Sequence, residues 1–301
     1  MSEHYPRIRA RVWNDHLIRE GLSLCFYMKR PHVEMAQSVM HCIETYVLAV
    51  GKQTLRWYLD EEGEWQDLDE TGWALTRRKL LERPGMIVDL LGRDDDRWYR
   101  LMYRGKNPDE PFLPGNPGEV CALSAWLPTE YMEEHGPGRV RELALALAAS
   151  LPFCSGHAGL SFHCQLNLLG VERKLHEYSL RHPGLDIPEL GHLSFRLGTR
   201  LRGPAWMNFL GQPVLGELGG TASLRARLSS QGTTVQELDG ERAVVTLGPW
   251  PEAGDTEQGQ ILPAYRELAR VLEPWLYREV PGQPYREVPE RTRRWERRFF
   301  D

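Results

Sequence analysis

Residues 126–162, WLPTEYMEEHGPGRVRELALALAASLPFCSGHAGLSF, contain a complete change from strand to helix and back to strand. Residues 120–127 are a near-continuous apolar run, which is typical of a central strand buried on both faces. Pro137 is well placed to open a helix, because proline is tolerated in the first turn. The apolar residues after it recur at helical spacing, and they are Val140, Leu143, Ala144, Leu147 and Ala148. A small-residue loop over residues 154–159 and a strand over residues 159–166 are expected to follow.

The rest of the chain repeats this order of elements. Residues 22–28 alternate large apolar side chains with the period of a strand, and a helix is predicted for about residues 32–50. Residues 233–238 and 243–247 flank Asp239-Gly240, a strong hairpin signal, and Pro263 predicts a last helix. These β-β-α-like units favour an α+β fold, with a largely antiparallel sheet covered by helices on one side. No Gly-rich turn between strand and helix supports a doubly wound parallel sheet.

Length and composition indicate an ordinary globular protein. The 301 residues are 41% hydrophobic and 26% charged, with a formal net charge of −5. Residues 1–280 are expected to form a single α+β domain, and residues 281–301 a charged C-terminal tail. The Pro- and Gly-rich segment GKNPDEPFLPGNPG, residues 105–118, is the best boundary if the domain has two sub-lobes.

The sequence predicts a cytoplasmic protein without a membrane partner. Its N-terminus has no apolar signal core, and nowhere do 18 apolar residues run together. The five cysteines have no framework spacing, which favours reduced thiols. The net negative charge argues against nonspecific nucleic-acid binding, since phosphate contacts need a clustered basic surface.

The catalytic and metal-binding motifs that the sequence partly matches are each incomplete. Residues 67–72 imitate the start of a calcium loop, but Arg78 stands where a bidentate glutamate is needed. The one Glu-x-Lys tripeptide, residues 172–174, lies on a predicted helix, where i and i+2 side chains do not face one another. We therefore predict no catalytic residue, no metal and no cofactor, and a protein that is not an enzyme.

A Cys/His group leaves one enzymatic alternative open. Cys154, His157, His163 and Cys164 have a spacing that could surround zinc, and a metal-dependent hydrolase would use this region. However, His163 and Cys164 are adjacent, and adjacent residues of a strand point to opposite faces. The same geometry weakens a Cys/His nucleophile pair, because no third orienting group is visible in the sequence.

An acidic stretch is the strongest candidate binding surface. Residues 57–70, WYLDEEGEWQDLDE, carry seven carboxylates without a basic residue. They form either a solvated hairpin tip or a surface that covers a cationic cleft of a partner, with aromatic side chains as anchors. Asp94, Asp95 and Asp96 would extend this field if their tip lies nearby. The candidate binding residues are Trp57, Asp60, Glu61, Glu62, Glu64, Trp65, Asp67, Asp69 and Glu70.

The C-terminal segment has the opposite character. Six arginines between residues 286 and 298 alternate with three glutamates, and Trp295, Phe299 and Phe300 are suited to dock the segment on the body. The mixed charges favour a solvated terminal helix. The alternative is a nucleic-acid-binding regulator that acts through this tail.

Residues 126–162, together with RLRGPAWMNFLGQPVLGELGG at residues 200–220, resemble the type VI immunity family of proteobacteria. The resemblance spans about residues 8–277. It implies a protein that is encoded beside a secreted toxin, often a nuclease of the restriction-endonuclease type, and that protects the producing cell. The expected partner is therefore a cognate toxin. We predict that the chain binds and neutralises this toxin by occluding its active site with the acidic and aromatic surface.

Overall fold

The computed structural model describes residues 4–12, 15–94, 97–112, 116–164, 170–280 and 288–300. The strands in these segments are β1 Arg9–Val12, β2 Asp15–Met28, β3 Trp57–Leu59, β4 Trp65–Asp67, β5 Met86–Asp94, β6 Arg97–Gly105, β7 Cys121–Pro128, β8 Ser155–Cys164, β9 Met207–Leu210, β10 Thr233–Asp239 and β11 Arg242–Leu247. The α-helices are α1 His32–Val50, α2 Glu70–Glu82, α3 Thr129–Ser150, α4 Val171–Arg181, α5 Leu190–Arg196, α6 Val214–Glu217, α7 Gly220–Arg227, α8 Pro263–Leu272 and α9 Glu290–Glu296. Two short 3₁₀ helices cover Thr256–Gln258 and Glu273–Trp275.

The described strands form one sheet in the order β10-β11-β9-β8-β2-β7-β6-β5-β3-β4, and β1 pairs with β2 beside this path. Every pairing between these strands is antiparallel. The long strand β2 lies near the middle, between β7 and β8. The predicted α+β class with a largely antiparallel sheet is therefore confirmed.

Helices α1 and α3 cover one face of the sheet. Leu24 and Phe26 of β2 and Leu123 of β7 are 0% exposed beneath them. A second apolar cluster lies at the β10–β11 end, where α8 contributes Leu268 and Leu272. Apolar periodicity in residues 22–28, in residues 120–127 and in the helix after Pro263 predicts six buried side chains, and all six are buried: Leu24, Phe26, Leu123, Trp126, Leu268 and Leu272.

The other face is covered as well, so the expectation of helices on one side only is wrong. Leu190, Leu193 and Leu197, in and just after α5, pack against side chains that β6 and β7 direct away from α1, including Trp98 and Trp126. The physical reason lies in the sequence of the central strands. They carry apolar side chains at consecutive positions, and a strand that is apolar on both faces must be covered on both faces.

Several element boundaries differ from the sequence-based expectation. The predicted loop at residues 154–159 is mostly strand β8, which begins at Ser155. Its small residues reflect close packing, because a Cβ added at Gly156 would come within 2.8 Å of the Cys25 carbonyl oxygen and the Phe26 ring. The β-rich residues 54–59 suggest a strand of six residues, but β3 begins only at Trp57, because Thr54 belongs to the turn after α1 and its hydroxyl donates to the Val50 carbonyl.

Pro137 lies at a kink in α3. The helix begins earlier than predicted, at Thr129, and is interrupted at Gly136, whose φ of 79° is left-handed. Pro137 then opens the second part, which carries the predicted apolar stripe. Residues 129–135 were missed because they contain three glutamates and no apolar periodicity.

The segment at 105–118 does not interrupt the sheet. Strand β6 ends at Gly105 and β7 begins at Cys121, and the two strands pair along their length. At the C-terminus, Trp295 of α9 and Phe299 are 2% exposed, so this segment packs on the body. Residues 281–287 of the expected tail lie outside the described residues.

Replacing Phe26 with alanine is expected to lower the free energy of unfolding by about 3–5 kcal/mol. The ring is fully buried and contacts Phe153 and Phe209, with centroids 5.9 and 5.0 Å away. Denaturant unfolding of the two proteins measures the difference. The control is Leu48→Ala at a position that is 71% exposed, where the change should stay within about 0.5 kcal/mol. Equal losses for both variants would contradict the assigned core.

Candidate functional site

The acidic stretch at residues 57–70 forms the β3–β4 hairpin and the start of α2. The carboxylate of Asp60 closes the tip, because one oxygen accepts the backbone amides of Glu62 and Glu64 at 3.1 and 2.8 Å. Its other oxygen accepts the side-chain amide of Gln66 at 2.7 Å. These donors, the Glu64 amide first, lower the pKa of Asp60 below its ordinary value.

Two more of the seven carboxylates attach the hairpin to α2. Glu61 forms ion pairs with Lys79 and Arg83, and the Lys79 hydrogen bond is the main reason that the pKa of Glu61 is lowered. Asp69 is the N-cap of α2, where its side chain accepts the amide of Gly72 at 2.8 Å. Asp60, Glu61 and Asp69 therefore shape and position the hairpin.

The other four carboxylates remain available to a partner. They are Glu62, Glu64, Asp67 and Glu70. All four are exposed, and none forms an ion pair or side-chain hydrogen bond with the part of the chain that the structure describes. Trp57 is partly buried, whereas Trp65 is 42% exposed beside the tip. Asp95 and Asp96 lie outside the described residues, so the expected extension of the acidic field stays a prediction.

A row of stacked side chains attaches the hairpin to the sheet. The guanidinium of Arg100 lies 5.9 Å from the ring centre of Trp65 and 5.3 Å from that of Trp126. On the far side, Trp126 stacks on His163 with centroids 4.5 Å apart and an interplanar angle of 14°. Gly21 makes this possible, because a Cβ there would lie 2.3 Å from the His163 ring. The row extends from the hairpin to β8.

The hairpin borders a concavity on each of its two sides. One, of about 710 Å³, lies over the face of the sheet, where Asp89 accepts two hydrogen bonds of 2.7 Å from Arg100. Arg104 approaches the same carboxylate at 3.8 Å. The other, of about 540 Å³, follows the edge of β5. Leu59 at the end of β3 lines both, so the hairpin forms the wall between them.

The structure does not bring the Cys/His group together. His163 and Cys164 point to opposite faces of β8, as predicted, because His163 stacks on Trp126 while Cys164 lies in the core beneath the helices. The Nε2 of His163 donates to the carbonyl of Leu22 at 3.0 Å. Burial lowers the pKa of His163 to about 3, so the ring is neutral at ordinary pH. Among the described residues, no group of three or more His, Cys, Asp or Glu side chains could hold a metal ion.

His157 belongs to a separate buried cluster that the sequence did not reveal. Its Nε2 lies 3.2 Å from Asp186, and its cross-strand partner Cys25 contacts the same ring. Burial opposes protonation, but Cys25 and Asp186 together raise the pKa of His157 to about 10. For the carboxyl group of Asp186, burial acts to raise the pKa, but the positive charges of Arg202 and His157 outweigh burial and lower the pKa to about 2.

This cluster has the composition of a Cys-His-Asp triad, but its setting is that of a core. Cys25, His157 and Asp186 are 6, 4 and 8% exposed. A nucleophile must reach a substrate, and here the thiol packs beneath α5 with its Sγ 3.3 Å from the Ser124 hydroxyl. The cluster therefore lies inside the fold and offers no accessible nucleophile.

The two other sequence patterns also have structural roles. Asp69 of the calcium-like motif caps α2, and Arg78 lies within that helix. Glu172 of the Glu-x-Lys tripeptide lies on α4 and forms an ion pair with Arg291 of α9. Neither pattern assembles a catalytic group.

The comparisons with known proteins identify the family of this α+β chain. A family model described as TsiV, Type VI immunity for VRR-NUC, matches residues 38–299. The class defined by this match is that of the type VI immunity proteins. Because the match covers most of the chain, the chain belongs to the TsiV family, whose description implies a nuclease-type toxin as partner. A search of curated proteins gave no match.

One solved structure is similar over nearly the whole chain. It is that of a Pseudomonas aeruginosa T6SS protein, PA0821, with a TM-score of 0.77 and 19% sequence identity. The likeness covers 97% of this chain and 87% of that one, and it shows a shared fold. Within the described segments, no helix has both the length and the apolar character needed to cross a membrane.

The depressed pKa of His163 predicts a loss of stability in acid. A histidine has a pKa near 6.5 in the unfolded chain and about 3 here, so its contribution is fully present above pH 6.5. Between pH 6.5 and 3 the free energy of unfolding should fall by about 1.4 kcal/mol per pH unit from this group. Denaturant unfolding at several pH values measures the slope. His163→Gln should reduce the slope, the exposed control His41→Gln should retain it, and equal slopes would contradict the assignment.

Chelation is expected to leave the fold unchanged. The described cysteines are free and buried, and no group of three or more described His, Cys, Asp or Glu side chains could hold a metal ion, so a chelator has no ligand set to empty. Thermal unfolding with and without EDTA should give the same Tm, and elemental analysis should show substoichiometric zinc. One zinc per chain, with a lower Tm after its removal, would contradict this prediction.

Proposed function

We propose that this chain neutralises a VRR-NUC toxin by binding over its active site, and that the acidic hairpin forms part of the contact surface. The family supplies the class of partner. The observation that carries the proposal is the exposed set of carboxylates on the hairpin, Glu62, Glu64, Asp67 and Glu70, which the described fold leaves unneutralised.

Charge supports the binding mode. A nuclease must hold phosphates with a basic surface, and an acidic surface of a partner competes for that surface. Long-range attraction between the two surfaces raises the association rate, while an aromatic side chain such as Trp65 can be desolvated as an anchor. Once seated, the hairpin and the body behind it exclude nucleic acid from the cleft.

Stoichiometric binding needs no chemistry from this chain. His157 and His163, the residues that a hydrolase would use, are buried and engaged with Asp186 and Leu22. In the arginine-rich tail, Arg298 stacks on Trp295 at 3.6 Å and Arg291 forms an ion pair with Glu172 of α4. These contacts favour an inhibitor over a metal-dependent hydrolase or a nucleic-acid-binding regulator.

We also propose the cellular location and the folding unit of the active protein. A nuclease damages the cell where nucleic acid is found, so protection is proposed to take place in the cytoplasm. Residues 1–280 are proposed to act as one unit. The pairing of β6 with β7 across residues 105–118 supports this, because a boundary there would divide the sheet.

The structure shows which carboxylates can be reversed to lysine without disturbing the hairpin. Asp60 and Glu61 hold the hairpin together, so their reversal would disturb the fold as well as the surface. The informative variant is Glu62→Lys, Glu64→Lys and Asp67→Lys combined. Its association rate with the VRR-NUC toxin encoded beside the gene should fall at least about tenfold at low salt, since rim charges act mainly on association. Surface plasmon resonance over a range of salt concentrations measures this rate.

A matched control separates local from overall charge. Asp109, Glu177 and Glu241 are exposed acidic residues outside the hairpin, and their combined reversal to lysine changes net charge equally. It should leave the association rate within about twofold of wild type, because distant charges are screened beyond roughly 10 Å at 0.1 M salt. If the hairpin variant associates as fast as this control, the hairpin is only a solvated tip. If wild type forms no complex at all, the proposed function fails.

A further inference from the structure

A length of unpaired strand edge lies beside the hairpin. Strand β5 pairs with β6 from Met86 to Asp94, but its other side pairs with β3 only at Leu90 and Leu91. In the described structure, residues 86–89 therefore have a neighbouring strand on one side only. A free edge of this kind presents backbone N–H and C=O groups that an extended segment of another protein can pair with.

The hairpin turns away from β5 at this point and leaves room for another strand. Asp60 closes the turn of the hairpin. Arg83, the residue that follows α2, forms an ion pair with the carboxylate of Glu61 at 2.9 Å. The result is the concavity of about 540 Å³, with residues 85–88 on one wall and residues 59–61 on the other. Ile87 is 58% exposed there, so its side chain is accessible to a partner strand.

The opposite edge of the sheet is protected. Helix α7 lies beside β10, where Arg225 donates to the carbonyl of Val235 at 3.0 Å. Thr221 of the same helix donates to Glu237 at 2.9 Å. Proteins usually cover or charge their edges to avoid uncontrolled pairing. Helix α2 contributes Leu75, Thr76 and Lys79 to the groove beside residues 86–89, but within the described structure no second strand pairs with these residues, so the edge is suited to a specific partner.

The charge around the edge identifies the chemistry of that partner. Asp60, Glu61, Glu62 and Glu64 lie on the hairpin, and the basic residues of the groove, Lys79 and Arg83, are both paired with Glu61. The four carboxylates of the hairpin outnumber these two basic residues, so the surroundings of the groove carry an excess of negative charge. A second copy of this chain would bring the same acidic hairpin and be repelled, whereas a basic segment would be attracted.

We propose that an extended segment of the toxin, bearing lysine or arginine at alternate positions, adds to β5 at residues 86–89. This inference rests on the proposed function and specifies how the toxin is held. Alternate side chains of an added strand point to the same face of the sheet, so basic residues at alternate positions would lie together beside the acidic hairpin. Backbone pairing supplies affinity, and the hairpin selects for basic sequence.

Hydrogen exchange tests the inference on the intact complex with the toxin encoded beside the gene. An antiparallel or parallel partner strand bonds to alternate amides only, since the others already face β6. Alternate amides within residues 86–89 should therefore exchange at least about tenfold more slowly in the complex than in the free protein. The amides of β10 at the opposite edge should not change.

A substitution on the edge gives an independent readout. Ile87→Lys places a like charge against the basic segment and should raise the Kd at least about tenfold, while Val33→Lys on α1, at a 65% exposed position, should not. Thermal unfolding verifies that both variants fold. A wild-type complex without protection at residues 86–89, or full affinity in Ile87→Lys, would overturn strand addition and leave the proposed function intact. The absence of any complex would overturn both.

Discussion

The stacking of His163 on Trp126 across Gly21 is the contact on which the arrangement of the sheet face depends. Strand β2 separates β7 from β8, and only a residue without a side chain at position 21 lets the imidazole reach the indole. Arg100 continues the row on the other side of Trp126 and reaches Trp65 in the hairpin. An added methyl group at Gly21 would displace the ring of His163 and so disturb the row that ends at the candidate surface.

Much of the fold could be predicted from local patterns. The helix α1 and the β10–β11 hairpin follow from apolar periodicity and from Asp239-Gly240, which are signals contained within a few residues. Strand order is different, because it depends on pairings between distant segments. The short strand β9, Met207–Leu210, joins β8 to β11 and has no alternation to reveal it. The start of β8 was missed because close packing there requires glycine, which resembles a loop in the sequence.

The candidate site was predictable in composition but not in detail. Seven carboxylates without a basic neighbour indicate an acidic surface, and the family model agrees with a protein-binding role. The sequence cannot distinguish the carboxylates that build the hairpin from those that remain free, because Glu61 is paired with residues 18 and 22 positions away. Asp69 is an exception, since an aspartate before an acidic first turn is a recognisable helix cap.

Contacts from outside the hairpin hold it in place, which suits the binding role proposed for it. Two strands of three residues are marginal by themselves, so their geometry depends on contacts from outside. Asp60 fixes the turn, Glu61 ties it to Lys79 and Arg83, and Trp65 stacks on Arg100. A surface fixed from three directions loses little conformational entropy when it binds, and more of the interaction energy is then available for affinity. The same restraints hold the tip away from β5, so one set of contacts both presents the carboxylates and keeps the neighbouring edge open.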